Sequence, residues 1–586
     1  MKAVLTLCMI IGFASLAMAG GWQAIQQDYL SGKITAEQRA EFAITLLTNP
    51  DSLPAKYQID RPIKDATGMI LDVMTDKNLL NPYVFDRFSM LLARQFKQKS
   101  YYTPQGHFCI HFDTTDVNGN VVYQPTVDIN PQDGIPDYVN RTGEYFERAW
   151  SVECDSMGYD TPPSDGTTGG GTNLYDVYMH HYSGAYGVTW PETPSSQRPG
   201  RGNDYISYIF VDPNYDDFGY SDRTLPMKVT SAHEFFHSIH MAYNAYAGSW
   251  FMENCSTWME DVLWDSINDN YFYLPNFMNN TNYSLTTTNG SFEYGAFVWP
   301  TYLSERFGND LIRTIWEWTI SSTAFNAMVQ VLDEYATGLG AAYPEFSTWN
   351  FLTGSRSDGL HYDEGAAYRQ VRMMRTHTIY PVANSTSNLV PSALGCNYIM
   401  FTRGSNRGRL HITFNGNNSG TWAVPIVKSI TANQHEFGEI PLDGYGDGEI
   451  VIDDFQRFSA VTIIPCLFTG NSLNYTYSAH LDTTTDISDA LQNLPHKFTL
   501  SGNYPNPFNG QTIISFSAPA MSQGEANLAI YDQLGRKVYA KTISIAPGPN
   551  DIHLGSADFN NLASGLYFYR IVAGNQTLNG RMTYLK

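Results

Sequence analysis

Residues 230–243, TSAHEFFHSIHMAY, are the most informative segment in the central part of this chain. It places three histidines and one glutamate in an otherwise apolar and aromatic run, which predicts a buried helix. Buried polar groups destabilise a protein unless something satisfies them. The stretch therefore predicts either protein partners for these side chains or a bound metal ion.

Helical spacing favours the metal. Residues four apart lie on one helix face, so His233 and His237 can direct two imidazoles at one point, and neutral imidazole is a good zinc ligand. Glu234 lies about 100° around the helix from His233. There its carboxylate can take a proton from a zinc-bound water as a general base. Glu253 in WFMENCSTWMED offers a third ligand, separated from His237 by fifteen residues.

Glu260 and His240 lie near these ligands in the sequence, and separate roles are predicted for them. Glu260 lies seven residues after Glu253 on the same helix face and can hold a ligand histidine by its second ring nitrogen. A solvated surface glutamate is the alternative, and helical phase does not separate Glu253 from Glu260 as the third ligand. The spacing of His240 fits no zinc clamp, so we expect a satisfied core or pocket histidine.

The motif AHEFFHSIHMAY followed by WFMENCSTWMED resembles the gluzincin class of zinc metallopeptidases. DGIPDYV, YDVYMHHY and AYGVTW are similar to elements that precede the zinc helix in a group of exported bacterial proteins assigned as metallopeptidases. The resemblance covers about residues 101–320, and its interval of fifteen residues is shorter than in the best-known gluzincins. It implies zinc held by His233, His237 and Glu253, with Glu234 as general base. It also suggests Tyr294 as an oxyanion donor, for which an ordinary packed aromatic is the alternative.

The remaining sequence predicts a multidomain chain. The fold class is an α+β domain followed by two β-sandwich domains, because strands and then helices precede short alternating strands. The resemblance implies that the α+β domain is a zincin-like metallopeptidase domain. Residues 20–100 read as a helical lead, either an inhibitory pro-segment or simply a packed one. The predicted boundaries are signal peptide 1–19, lead 20–100, zincin-like domain 101–375, β-sandwich 376–485, linker 486–496 and sorting domain 497–586.

The C-terminal residues 497–586 resemble the sorting domain of type IX secretion substrates. LSGNYPNPFNGQTIISF, LAIYDQLGRKVY and ASGLYFYRIVAG carry the resemblance. It implies a Gram-negative bacterial protein that passes through the periplasm to the cell surface or the medium, with the type IX secretion machinery as a partner. A β-sandwich that binds carbohydrate or a protein partner is the alternative.

Charge and composition limit the partners. A formal net charge of −22 argues against nucleic acid and anionic membranes. After the signal peptide no segment is long and apolar enough for a transmembrane anchor.

Five cysteines remain beyond Cys8. Cys109 with Cys154, and Cys396 with Cys466, fall in shared domains and offer two candidate disulfides.

A weaker candidate site lies in DINPQDGIPDY. Oxygen ligands crowd a glycine turn there, which suits a hard cation such as calcium; the residues are Asp128, Asn130, Asp133 and Asp137. The loop has one residue more than the usual spacing, and a turn stabilised by its own side chains is the alternative.

Together these patterns predict a secreted zinc-dependent metallopeptidase that hydrolyses polypeptide substrates. The alternative is a catalytically inactive surface adhesin or binding protein on a metallopeptidase scaffold.

Overall fold

A computed structural model describes residues 21–586 except 60–62, 117, 336, 405–407, 483–496, 520–523, 560–561 and 575. The predicted signal peptide 1–19 and the predicted linker 486–496 lie outside these residues. The chain divides into two compact units, Met1–Asp482 and Thr483–Lys586. Among the described residues, no helix has both the length and the apolar character needed to cross a bilayer.

The lead is mainly helical, as predicted. Its helices are α1 (Trp22–Leu30), α2 (Ala36–Thr48), α3 (Thr67–Thr75) and α4 (Pro82–Leu91). A capping box begins α2, in which Thr35 and Gln38 each accept the other's backbone N–H and so satisfy two free donors of the first turn. The lead also contains a three-residue strand that was not predicted, β1 (Ile63–Asp65).

A six-stranded mixed sheet follows. Its further strands are β2 (Lys99–Tyr102), β3 (Phe108–Phe112), β4 (Tyr175–Met179), β5 (Ala185–Pro194) and β6 (Tyr205–Val211). Their order is β1-β5-β6-β4-β3-β2. The pairs β3–β4 and β4–β6 are parallel, β5 runs antiparallel to β6, and β1 runs parallel to β5. These strands precede most of the helices of the domain, in agreement with the predicted order of strands and then helices.

Side-chain alternation gives this sheet two buried faces. In β6, Ile209 and Val211 belong to the core beneath the central helices, while Tyr208 and Phe210 belong to a second core shared with the lead. Successive strand residues point to opposite faces, so both faces must be covered. The central helices are α5 (Asp137–Trp150), α6 (Thr224–Tyr243), α7 (Ser249–Trp264), α8 (Leu274–Met278), α9 (Phe292–Gly295), α10 (Val298–Phe307), α11 (Asn309–Thr319), α12 (Ala324–Tyr335) and α13 (Leu339–Phe351).

The first unit ends in a β-sandwich. Its strands are β7 (Arg375–His377), β8 (Val382–Ser385), β9 (Gly395–Cys396), β10 (Ile399–Thr402), β11 (Arg409–Asn415), β12 (Trp422–Ala423), β13 (Pro425–Ser429), β14 (His435–Glu439), β15 (Asp447–Ile452), β16 (Ala460–Ile463), β17 (Cys466–Leu467) and β18 (Thr476–Asp482). They form the sheets β14-β13-β16-β10-β7, β15-β11-β18-β8 and β12-β17-β9. Residues of the two larger sheets share one apolar core.

The second unit is entirely β apart from one short 3₁₀ turn in its described part. Its strands are β19 (Thr499–Tyr504), β20 (Phe508–Asn509), β21 (Thr512–Ala518), β22 (Gly524–Tyr531), β23 (Lys537–Ile545), β24 (Gly548–Leu554), β25 (Gly565–Ala573) and β26 (Gln576–Leu585). They form the sheets β19-β21-β24 and β20-β26-β25-β22-β23 around a core of their own. The prediction of a multidomain chain with helices and several β-sheets is confirmed.

Candidate metal centre

The two predicted histidine ligands meet at one point on α6. Both side chains are buried, and the Nε2 atoms of His233 and His237 lie 3.1 Å apart. Their separation of one helical turn explains this convergence. The apolar residues between them anchor the helix in the core beneath the sheet, so the imidazoles are held in place with little access to water.

Glu253 of α7 joins the pair. Its Oε2 lies 3.3 Å from Nε2 of His233 and 3.4 Å from Nε2 of His237. Neither carboxylate oxygen accepts a hydrogen bond within the described part of the chain. A buried carboxylate without a donor is costly. A cation between the three side chains, or a proton on one of the histidines, would offset its charge.

The donor spacing fits a tetrahedral zinc site. Ligand atoms about 2.0–2.2 Å from a tetrahedral centre lie about 3.3–3.6 Å from one another. The three separations of 3.1, 3.3 and 3.4 Å come close to that edge length. Two imidazole nitrogens and a carboxylate oxygen are also ligands that zinc accepts.

A fourth donor comes from the lead and was missed by sequence reasoning. Asp65, at the end of β1, is buried, and its Oδ2 lies 3.5 Å from Nε2 of His237. Donor atoms of Asp65, His233, His237 and Glu253 all lie within 4.8 Å of one another. The sequence around Asp65 reads as an ordinary Asp-x-Thr turn, so only the tertiary fold reveals its place here.

Glu260 lies on the other side of His233. Its Oε1 accepts a hydrogen bond from Nδ1 of His233 at 2.7 Å, and its Oε2 accepts one from Nζ of Lys64 at 2.6 Å. This contact fixes the ring orientation and leaves Nε2 directed at the cluster. Lys64 also pairs with Asp269. Burial opposes the charge on Lys64, but the carboxylates of Asp269 and Glu260 outweigh it and raise the pKa of that amine.

Glu234 sits beside the donors and is not one of them. Its Oε2 accepts a hydrogen bond from Oγ1 of Thr189 at 2.8 Å, while Oε1 has no partner in the described part of the chain. A Cβ at Gly187 of β5 would lie 2.5 Å from that Oε1, so only glycine admits the carboxylate. Burial, reinforced by the charge of Asp65, raises the pKa of Glu234 well above its ordinary value. The geometry leaves one oxygen free to accept a proton.

The surroundings of the two histidines shift their pKa values in opposite directions. Although burial disfavours the charged ring, the carboxylates of Glu253 and Asp65 raise the pKa of His237 to about 10. Burial lowers the pKa of His233. In the absence of a metal the cluster therefore retains a proton on His237, where a positive charge offsets the two carboxylates.

Tyr294 and His240 lie near the cluster in different settings. The ring of Tyr294 is centred 6.2 Å from that of His233, and its hydroxyl donates to the backbone carbonyl of Asp65 at 3.2 Å. The ring of His240 stacks on Trp316 with centroids 3.9 Å apart. His240 is therefore packed in the core, as predicted, but it is not fully satisfied, because its Nε2 has no hydrogen-bond partner in the described part of the chain. Tyr294 donates its hydroxyl beside the site.

The predicted calcium loop is held together by its own amides. Asp128 accepts from the backbone N–H groups of Asp133 and Gly134, and Asp137 accepts from those of Ile129 and Asn130. These contacts match the alternative of a self-stabilised turn. Calcium binding here stays a prediction.

The five described cysteines are all free thiols. Cys396 and Cys466 lie opposite each other on paired strands β9 and β17, yet they are not bonded. The two candidate disulfides are therefore absent from the described structure. The odd count had required at least one free thiol, and burial of all five lets them pack as small apolar residues.

A second buried cluster has partners of its own. Nε2 of His111 bonds Asp176 at 2.8 Å, and Nδ1 bonds Ser100 at 2.9 Å. Asp176 also pairs with Arg94. Cys109 completes this group. Because both ring nitrogens are engaged and a guanidinium already neutralises the carboxylate, the group is a hydrogen-bond network in the second core rather than a metal site.

Residues 503–583 match the family described as secretion system C-terminal sorting domain. The chain is therefore exported to the cell surface or beyond by type IX secretion, and this part of the prediction is confirmed. Residues 218–434, which include the whole of α6 and α7, match a family of unknown function, DUF6055. That match assigns no activity. The comparison with curated proteins found no match.

Several solved structures with partial likeness to this chain are glycosidases. A β-glucuronidase of Parabacteroides merdae is 12% identical with a TM-score of 0.13, covering 30% of this chain and 26% of its own. A glycosyl hydrolase family 2 member from Bacteroides cellulosilyticus is 10% identical, with a TM-score of 0.12 and coverage of 32% and 27%. A Ruminococcus gnavus β-glucuronidase is 9% identical, with a TM-score of 0.10 and coverage of 32% and 35%. This chain thus spans about a quarter to a third of those proteins, and the likeness carries no argument about fold or activity.

Proposed function

We propose that this chain is an exported zinc-dependent peptidase with a zincin-like catalytic domain. The observation that carries the proposal is the meeting of His233, His237 and Glu253 at tetrahedral spacing, with the free oxygen of Glu234 beside them. Glu253 is buried and accepts no hydrogen bond in the described part of the chain. A zinc ion would neutralise it together with the histidine nitrogens beside it.

Zinc bound there would supply a Lewis acid that polarises a peptide carbonyl and lowers the pKa of water. The residues around it have separate tasks. Glu260 keeps His233 in one ring orientation through the 2.7 Å hydrogen bond to Nδ1. Thr189 holds Oε2 of Glu234, so Oε1 is the atom that accepts a proton from the attacking water. Glu234 then delivers that proton to the leaving amine.

The raised pKa of Glu234 makes its carboxylate a stronger base than an ordinary glutamate, which suits the uptake of a proton from water. The rise in the pKa of Glu234 is caused by burial and by the charge of Asp65. The hydroxyl of Tyr294, which donates to a backbone carbonyl beside the cluster, is the group that we assign to the oxyanion of the tetrahedral intermediate.

A catalytically inactive adhesin on the same scaffold is the rival proposal. Export by the sorting domain suits both. The two differ in what Glu234 is for, because a binding protein has no use for a buried general base whose second oxygen accepts no hydrogen bond in the described structure. We therefore favour the peptidase.

The test combines metal content with hydrolysis of an unfolded protein. We expect one zinc ion per chain, its loss in His237→Ala, and zinc-dependent hydrolysis that a chelator abolishes. Glu234→Gln should keep the zinc and lose the hydrolysis, because only the proton acceptor is removed. A chain that binds no zinc, or undiminished hydrolysis by Glu234→Gln, would contradict the proposal.

A further inference from the structure

We infer that Asp65 is the fourth zinc ligand and that β1 holds the proposed peptidase in a closed, latent state. This inference rests on the proposed function. It is carried by the contacts that residues 63–67 of the lead make with the metal cluster, with β5 and with Tyr294. It also chooses between the two interpretations that the sequence left open for the lead.

β1 occupies the edge of the sheet beside the cluster. Ile63 pairs with Ala185 and Asp65 with Gly187. The N–H of Ile63 donates to the carbonyl of Gly184 at 2.7 Å, and that of Ala66 donates to the carbonyl of Gly187 at 3.3 Å. Extended peptides bind proteins by adding a strand to an exposed sheet edge. Without β1, strand β5 would be that edge, so the lead fills the place next to the metal that an extended substrate would take.

The carboxylate of Asp65 completes the donor set. Its Oδ2 lies 3.5 Å from Nε2 of His237, a separation of the same size as those among the other three donors. Structural zinc sites have four protein ligands, whereas catalytic sites have three and keep one position for water or substrate. With Asp65 in place the site has the closed, four-ligand form.

Asp65 is held there firmly. The backbone N–H of Thr67 donates to Oδ1 and Oδ2, each at 2.9 Å, and the Thr67 hydroxyl donates to Oδ1 at 2.7 Å. The same hydroxyl oxygen accepts from the N–H of Thr189 on β5 at 2.8 Å. The turn that positions the carboxylate is thus tied to the sheet edge and does not hang free.

The backbone of the lead also engages the predicted oxyanion donor. The Tyr294 hydroxyl donates to the carbonyl of Asp65 at 3.2 Å. A cavity of about 20 Å³ remains beside Asp65, Glu253 and Tyr294, which is room for about one water molecule. A peptide cannot enter while β1 stays in place.

Opening need not remove the rest of the lead. Its helices cover the second face of the sheet, where Tyr178, Trp190 and Phe210 belong to a core shared with the lead. Stripping the lead away would expose these side chains as an apolar patch. Opening therefore consists of withdrawing β1 and Asp65 from the cluster, with the helices left on the sheet.

The test compares the full-length wild type with Asp65→Asn, which keeps the turn to Thr67 but removes the charged ligand. Asp28→Asn is the matched control, since Asp28 is a buried lead carboxylate held by Lys33, Lys56 and Tyr57 away from the cluster. Zinc affinity is measured by chelator competition, and hydrogen exchange is followed at the amides of Ile63 and Ala66 with and without zinc.

In the wild type and in Asp28→Asn, we expect zinc to slow exchange at these two amides. In Asp65→Asn, zinc should leave their exchange unchanged, and zinc affinity should fall about 10²- to 10³-fold, since one of four ligands is lost. Hydrolysis of an unfolded protein should rise at least about tenfold in Asp65→Asn, because β1 loses its contact with the metal and withdraws from the site more readily.

The outcomes separate this inference from the proposed function. Zinc binding by the wild type with zinc-independent exchange of β1, or unchanged affinity in Asp65→Asn, overturns the inference and leaves the peptidase proposal standing. A wild type that binds no zinc overturns both. Activity gained in Asp65→Asn and lost again in the Asp65→Asn/Glu234→Gln double variant supports both.

Discussion

Removing Glu253 should cost far more zinc affinity than removing Glu260, although both carboxylates lie on one face of α7. Glu253 Oε2 lies 3.3 Å and 3.4 Å from the two histidine Nε2 atoms. Glu260 bonds Nδ1 of His233 from the other side, at 2.7 Å. Glu253→Ala therefore deletes a ligand, whereas Glu260→Ala only loosens the orientation of one.

The two losses differ in size. Structural zinc sites bind with about 10–16 kcal/mol, so an equal share for each of four ligands is about 2.5–4 kcal/mol, or roughly 10²- to 10³-fold in affinity. Loss of an outer partner costs about 10- to 100-fold. Because Asp65 still ligates in the single variant, the full effect of Glu253→Ala should emerge when it is combined with Asp65→Asn. That pair leaves only two imidazoles.

The assay titrates zinc against a chelator at fixed pH into both alanine variants, each alone and with Asp65→Asn. Glu260→Gln is the matched control, because its amide oxygen still accepts from Nδ1 of His233. Lys64 keeps Asp269 as a partner in every variant, and thermal melting of the metal-free proteins checks that each one folds. If Glu260→Ala loses the metal and Glu253→Ala retains it, the ligand assignment is reversed. Equal losses would also contradict it.

Three further outcomes are expected. Glu234→Gln should bind zinc like the wild type while hydrolysis falls about 10²- to 10⁴-fold, the usual contribution of a general base; equal rates would refute its role. A chain truncated before residue 497 should fold but stay in the periplasm, as fractionation would reveal, and normal delivery of this chain to the surface would refute sorting by the C-terminal unit. Burial raises the pKa of Glu153 well above its ordinary 4.5, so the folded state retains a proton and loses stability as pH rises, by up to about 1.4 kcal/mol per pH unit. The melting temperature of Glu153→Gln should therefore exceed that of the wild type by an amount that grows between about pH 5 and pH 8. A difference in melting temperature that stays constant over this range would contradict the reasoning.

The histidine pair was predictable because its geometry is local. Two residues four apart on a helix share a face whatever the rest of the chain does. The same rule put Glu253 and Glu260 on one face and for that reason did not rank them. The ranking came from how α7 packs beside α6, which brings Glu253 to the Nε2 atoms and Glu260 to Nδ1.

Asp65 and β1 escaped prediction for the opposite reason. A strand of three residues is too short for a period-two pattern to stand out from its surroundings. Its pairing with β5 joins segments that are distant in sequence, and β5 itself carries Pro191 and Pro194, which weaken a strand prediction. Composition and spacing around Asp65 contain no signal of the histidines that it meets in the fold.

Lys64 adds a reason to regard the lead as part of the working protein. Adjacent residues of β1 serve the site from two directions, since Lys64 bonds the Glu260 that orients His233, while Asp65 joins the donors themselves. Loss of the whole lead would leave Glu260 buried without its cation, and an unpaired buried charge is strongly destabilising. Withdrawal of β1 breaks this contact as well as the one that Asp65 makes with the donors. The Lys64–Glu260 pair therefore opposes opening, and the closed state is held by two contacts of adjacent residues on one strand.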